Sequence, residues 1–411
     1  MRLRFPRLLH IIGPGLLVAA TGVGAGDLAS AGFAGSRLGL VVLWAVVVGA
    51  AMKYVLNEGL ARWQLVTDTT LLEGVSDHIG RWAILLFLIY LLPFAFVVGG
   101  ALITATGVAT HAIVGWPADP DTATLLWGGI GSAAATLLVF LGSFTLFERV
   151  MACGIVIMFV TVCLTALLLG PDWASAARGL IPGHPGDGES LDWTVALVGG
   201  VGGTVTVLCY GYWMRQAGRS GTGFIPTCRI DLLVAYAFTA LFGIAMLMIA
   251  SGIEVDGRGT GLLVALSGQL HTALGPVGAV LFLIGAWAAI VSSLLGVWQS
   301  IPLLFTDAVR SLWGLPHVSA EQLGSTRIHR VFLLLLATVP MLQVGIGFAA
   351  VQKAYAVLGA FFLPILAVVL LVLNGRSAYV GARKNSPWTV ALLICVLAFF
   401  AWVAMEKVGV V

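Results

Sequence analysis

The stretch TGVGAGDLAS, residues 21–30, decides how this chain can fold. It falls within an apolar run long enough to cross a bilayer. Yet it puts glycine at 22, 24 and 26 and a carboxylate, Asp27, directly after them. Glycine disfavours a helix interior by about 1 kcal/mol per residue relative to alanine. An ionised aspartate at the bilayer centre costs about 3 kcal/mol on insertion scales. Both penalties at one depth point to a helix interrupted there, with a polar site in the interruption.

The remaining composition puts that depth inside a membrane. Of 411 residues, 60% are hydrophobic and 9% charged, against about 25% charged in a soluble domain. The chain reads as an all-α polytopic membrane protein whose partner is the lipid bilayer, since hydrocarbon offers bare backbone no hydrogen bonds. The 21 Lys and Arg are dispersed and no basic run reaches five residues, which excludes a nucleic-acid partner. Cys153, Cys163, Cys209, Cys228 and Cys395 form no CxxC pair and no zinc spacing. The opening MRLRFPRLLHIIGPGLLVAATG is basic then apolar, like a secretion signal. Its apolar run continues through Ala31–Ala34 without a polar cleavage region, so it is expected to stay as the first span.

Apolar stretches of about 20 residues, the length a hydrocarbon core demands, recur eleven times. They lie near 12–35, 39–56, 83–114, 123–141, 150–170, 194–214, 231–251, 276–304, 331–350, 354–373 and 389–405. A cytoplasmic N-terminus puts fifteen Lys and Arg inside, from Arg2, Arg4 and Arg7 to Arg383 and Lys384. Five lie outside (Arg37, Arg178, Arg258, Lys353 and Lys407), and Lys53 sits within a span. That asymmetry predicts a cell (inner) membrane protein, N-terminus cytoplasmic and C-terminus external. The sizeable loop 171–193 is then external and separates spans one to five from six to ten. One transmembrane transport domain over 1–411 is expected, with a repeat at about 12–170, a second at about 194–373 and an extra helix at 389–405.

Span six repeats the opening anomaly. LVGGVGGTVTVLCYGYW, residues 197–213, holds four glycines in five positions, followed by Thr204, Val205 and Thr206. Gly clusters in the first and sixth of eleven spans are the pattern of a 5+5 inverted repeat whose leading helices are broken. Broken ends expose carbonyls and N–H groups, tolerated at that depth only where protein or a cavity satisfies them. Close packing through small residues is the competing explanation. Asp27 beside free carbonyls attracts a cation, and oxygen-only ligation suits hard divalent ions such as Mg2+, Ca2+ or Mn2+. The expected ligands are Asp27, the backbone around Gly24, Gly26 and Gly203, and the hydroxyls of Thr204 and Thr206. Asp27 also suits an N-cap of the second half-helix, accepting from Ala29 or Ser30.

These two spans carry a resemblance. GPGLLVAATGVGAGDLASAGFAGSRLGLVVLWAVV is similar to the first two spans of Nramp-type divalent metal transporters, which open with GPG, an apolar half-helix and DPGN. The likeness continues through LARWQLVTD, FERV, PDWASAARGLIP and the TV of span six, over about the first 250 residues. It implies a LeuT-type fold of eleven or twelve spans that moves Mn2+, Fe2+ or similar ions inward with protons. The departures are specific. Gly24, Ala25, Gly26 and Asp27 stand where the family has DPGN, moving the acid from first place to last. Thr206, Val207 and Leu208 replace MPH, so the soft methionine ligand and the proton-handling histidine are missing. LPFAFVVGGALITATG lacks the family's aspartate of span three. Loss of the methionine also marks the Nramp-related magnesium transporters, which accept a hard, partly hydrated ion.

Other polar residues inside spans offer a pathway. Asn57 and Glu58 would line a vestibule, although Glu58 and Arg62 are four apart and can pair on one helix face. Thr104, Ser292 and Ser293 could lend hydroxyl oxygens, or bond one turn back along their own helices. Asp231 reads as a solvated end of span seven. No catalytic motif such as HExxH or GxSxG occurs, so an enzyme is not expected, and no cofactor beyond the transported metal. A transporter of an amino acid or other small organic solute, and a non-transporting sensor, are the alternatives. A monomer is compatible with the sequence.

Overall fold

The computed structural model describes residues 5–142, 144–170, 172–183, 188–252, 262–316 and 318–408, without the side chains of 5–12, 144 and 408. The sequence-based positions of Arg2, Arg4 and Arg258, and residues 184–187 of the loop at 171–193, lie outside the described residues. All regular structure among those described is helical. In order, the helices are α1 (Phe5–Gly22), α2 (Ala25–Leu38), α3 (Leu43–Thr67), α4 (Leu71–His78), α5 (Arg81–Val114) and α6 (Pro120–Leu141). There follow α7 (Phe144–Leu168), α8 (Trp173–Gly179), α9 (Gly188–Gly200), α10 (Tyr210–Gln216), α11 (Ile225–Ala250) and α12 (Leu262–Trp313). The last are α13 (Ala320–Ser325), α14 (Arg327–Thr338), α15 (Phe348–Ala360), α16 (Phe362–Asn374), α17 (Ser377–Val380) and α18 (Pro387–Val408).

Among the described residues, nine helical stretches are long and apolar enough to cross a membrane. The eleven expected spans do not map onto them one for one, for local reasons. The first apolar run is split after α1, and its second half leads through a 3-10 turn at Gly39–Val42 into α3. The run expected at 331–350 leaves the helix early. α14 ends at Thr338, Pro340 falls in a 3-10 turn, and Gly345 and Gly347 take positive φ before α15 begins. Proline offers no N–H to continue the helix. The span expected from 276 begins at a bend in α12, where Gly275 has φ 75° and Pro276 follows.

Short helices at the boundaries start on side-chain caps. The Thr70 hydroxyl accepts from Glu73 N–H while Glu73 accepts from Thr70 N–H, a capping box that begins α4. Asp119 caps α6 with Pro120 behind it, and the Thr122 hydroxyl and N–H hold its carboxyl below the ordinary range. The long helices carry apolar faces outward: Leu85, Ile89 and Leu92 on α5, and Val156, Val160, Leu164 and Leu167 on α7, are exposed. Helix interfaces use small residues instead. A Cβ on Gly49 would stand 2.9 Å from the Val198 carbonyl, and one on Gly99 2.6 Å from Pro340 Cγ, the close approach typical of packing in lipid.

Candidate functional site

The first break is a dislocation, not a long unwound loop. Val23 N–H still bonds back to the Ala19 carbonyl at 2.6 Å, and Gly24, with φ −156° and ψ −124°, already starts α2. The carbonyls that α1 leaves without helical partners are taken by α12. The Ser293 hydroxyl donates to the Thr21 carbonyl at 2.6 Å. The Ser292 hydroxyl donates to Ala20 at 3.2 Å and to Ala289, one turn back, at 2.9 Å. Gly24 permits this contact, since a Cβ there would lie 2.6 Å from the Ala289 carbonyl. Gly26 makes room for Tyr355, whose Cε1 would be 2.9 Å from such a Cβ.

The second break follows α9. Gly202 and Gly203 have φ 79° and 81°, a left-handed pair that only glycine adopts without strain. The chain then passes through a 3-10 segment, Val205–Cys209, into α10. The two breaks meet: a Cβ on Gly22 would run into the backbone of Gly202 and Gly203. Across this contact, Gly202 N–H donates to both oxygens of Asp27, at 3.1 and 3.2 Å. Asp27 is fully buried in the first turn of α2, where the helix dipole favours a negative charge. Asp27 does not cap α2. Gly24 is the N-cap and no side chain caps α2, because the carboxylate reaches across to helix six instead.

Four residues from other helices complete the site. Lys53 of α3, also fully buried, donates from Nζ to the Gly199 carbonyl at 2.6 Å and to the Val201 carbonyl, and its charge acts on Asp27. Asn57, one turn along the same face, donates to the Tyr236 hydroxyl at 3.1 Å, and the Tyr236 ring lies against Gly202. The Tyr355 hydroxyl faces Thr204 and lies within electrostatic reach of Asp27. Thr206 Oγ1 crowds Gly203. Among the described residues around the breaks, Thr21 Oγ1, Asn57 Oδ1, Thr104 Oγ1 and Thr204 Oγ1 are buried oxygens without a hydrogen-bond partner. No cluster of three His, Cys, Asp or Glu able to hold a metal occurs among them. Any cation here would therefore be held by one carboxylate, carbonyls and hydroxyls.

Two sequence assignments fall elsewhere. Glu58 faces away from the break: it pairs with Arg62 at 3.3 Å and with Arg229 at 2.8 Å. Asp231, expected to be a solvated helix end, is instead fully buried. It accepts from Gly15 N–H at 3.0 Å, from the Tyr210 hydroxyl at 3.0 Å and from Arg219 at 2.6 Å. Burial is tolerable because every contact is a donor. The sequence contained one signal for the missed residues, since Lys53 was the basic residue stranded within a span. Tyr236 and Tyr355 carried none, as aromatic residues in apolar runs read as core.

Comparison with known proteins bears on this arrangement. A family profile described as natural resistance-associated macrophage protein-like, Nramp, matches residues 15–408. A protein named divalent metal cation transporter MntH, from Mycobacterium leprae (strain TN), is 22% identical over 94% of this chain and 90% of its own length. MntH of Deinococcus radiodurans is 22% identical over 96% of this chain and 90% of its own. A crystal structure of the Eremococcus coleocola manganese transporter, with an aromatic bis-isothiourea substituted compound, superposes with TM-score 0.78 at 16% identity, over 99% of this chain and 87% of that one. MhsT in complex with L-phenylalanine superposes with TM-score 0.61 at 18% identity, over 97% and 98%. At these identities the solved structures speak for the fold alone.

Proposed function

This chain belongs to the Nramp family, and from that membership we propose that it carries a divalent metal cation across a cell membrane by alternating access. Family members are transporters, not enzymes, and the metal is cargo and not a cofactor. The observation that carries the reading is the contact between the two helix breaks, with the Asp27 carboxylate buried between them. The relatives named for divalent metal cation transport support the class of cargo.

The finer reading is ours as well. The ligands are Asp27, carbonyls around Gly24, Gly26 and Gly203, and the hydroxyls of Thr204 and Thr206, with Thr104 and Asn57 bordering the path. An all-oxygen set without a thioether suits Mn2+ and Mg2+ over softer ions. With Thr206, Val207 and Leu208 where the family has MPH, no proton step is assigned to helix six. The frame is one domain of eleven crossings: five plus five inverted (about 12–170 and 194–373) and an extra helix at 389–405. It sits in the inner membrane with the N-terminus cytoplasmic. Access changes as one bundle rocks against the other.

Uptake of Mn2+ and Mg2+ into proteoliposomes tests the proposal, with the Asp27→Ala variant alongside. Metal uptake that depends on Asp27 is the expected result. A thermal-shift screen separates the amino-acid alternative, because only a true ligand raises the melting temperature by mass action. Stabilisation by an amino acid and none by either metal would overturn the reading.

A further inference from the structure

Lys53 has no part in the transport scheme so far, yet it occupies the centre of the site. Its ammonium has three protons to donate and no way to accept. Two of the donations go to carbonyls at the end of α9, Gly199 at 2.6 Å and Val201, and its charge acts on Asp27. A helix C-terminus carries partial negative charge. A carboxylate plus converging carbonyls is the surrounding that a hard cation seeks. The cation there is the chain's own. Asp27 and Lys53 are both wholly buried, and the carbonyls of the opposite break are already held by Ser292 and Ser293.

We propose that Lys53 is a tethered stand-in for the transported cation. In the unloaded carrier it neutralises Asp27 and fills the carbonyl cage of helix six, and a divalent ion binds by displacing the ammonium from that cage. The inference rests on the metal-transport reading and adds two consequences to it. Ion and lysine compete, so removing the lysine tightens metal binding. The empty carrier closes over a neutral pair and not over a bare carboxylate, so removing the lysine also slows its return. A lysine that merely capped α9 would do neither.

Mn2+ alone is the probe, with wild type, Lys53→Met and Lys53→Gln compared by calorimetric titration and by net uptake into metal-free proteoliposomes. Both variants are expected to bind Mn2+ about tenfold more tightly, equivalent to about 1.4 kcal/mol, while net uptake slows by a similar factor. Gln keeps an N–H donor for the carbonyls without the charge, so it reports even where Met prevents folding, and a purely structural cap would leave its affinity unmoved. Unchanged or weaker Mn2+ binding in Lys53→Gln overturns the proposal. Failure of the transport reading is seen separately, as wild type that neither binds nor moves Mn2+. In that case metal-free melting still tests the pair. Asp27→Asn should melt lower than wild type, and Asp27→Asn with Lys53→Met should recover. No recovery means the two charges are not partners.

Discussion

At the scale of single residues, the site is closed by the protein's own groups. Asp27 accepts from Gly202 within the electrostatic reach of Lys53, while Ser292 and Ser293 hold the carbonyls at the end of α1. Such a pair is sensitive to the loss of one member, since the charge left behind has no solvent. Asp27→Asn keeps the shape and strands Lys53, which should cost about 3 kcal/mol. The melting temperature in detergent should fall accordingly, and Mn2+ uptake should drop at least about tenfold. Retention of both would remove Asp27 from the centre of the site. Ser293→Ala tests the opposite wall. It leaves the Thr21 carbonyl, now bonded at 2.6 Å, buried without a donor, at a cost of about 1–3 kcal/mol. Lower thermal stability without loss of Mn2+ selectivity over Ca2+ is the expected outcome, because the serine seals the break without coordinating cargo.

At the scale of elements, the breaks depend on glycines that do two different jobs. Gly202 and Gly203 turn the chain through positive φ, whereas Gly22 lets one break lie directly on the other. Gly22→Ala would push a methyl group into the Gly202 backbone, and overpacking of this kind costs about 1–3 kcal/mol. Gly183→Ala, in open space, should leave melting unchanged and serves as the control. Equal melting of the two variants would mean the breaks are not in contact. These elements also mark what the sequence revealed. Clustered glycines in spans one and six were legible because they recur at matching depths, one set beside a carboxylate, which close packing alone does not require. The end of α14 was not, since 331–350 carries no charge and its length looked sufficient; Pro340 and Gly345 decided the matter. The partners of Asp27 were hidden for another reason. Gly202 lies in the second break, Lys53 on α3 and Tyr355 on α15, and no spacing rule joins residues 27, 53, 202 and 355.

At the scale of the whole molecule, three of the five basic residues that the positive-inside count assigns outside lie together. Arg37 pairs with Glu189, while Lys353 and Lys407 both reach Asp192, at 3.0 and 2.6 Å. Trp193 lies beneath Arg37 and Lys353, 5.6 and 5.3 Å from its ring. At the other end Asp231 ties Gly15 of α1 to Tyr210 of α10 through a buried ion pair with Arg219. Both half-helices of the broken spans are thus latched at one end, and α2, α9, α15 and α18 at the other. In the alternating access proposed above, rocking releases one latch while the other holds, so weakening the two latches should shift the population in opposite directions. Cys209, buried in the 3-10 segment beside the site, reports that shift through maleimide labelling once Cys153, Cys163, Cys228 and Cys395 are replaced by serine. Asp231→Asn should raise labelling from the α10 end, by about tenfold where the latch contributes about 1.4 kcal/mol. Asp192→Asn should lower it, since it favours opening at the far end. The outer pairs are partly exposed and each is worth at most about 1 kcal/mol, so this effect should be the smaller and should fade in high salt. Labelling that rises in both variants would indicate general loosening, and the two ends would then not be coupled through the breaks.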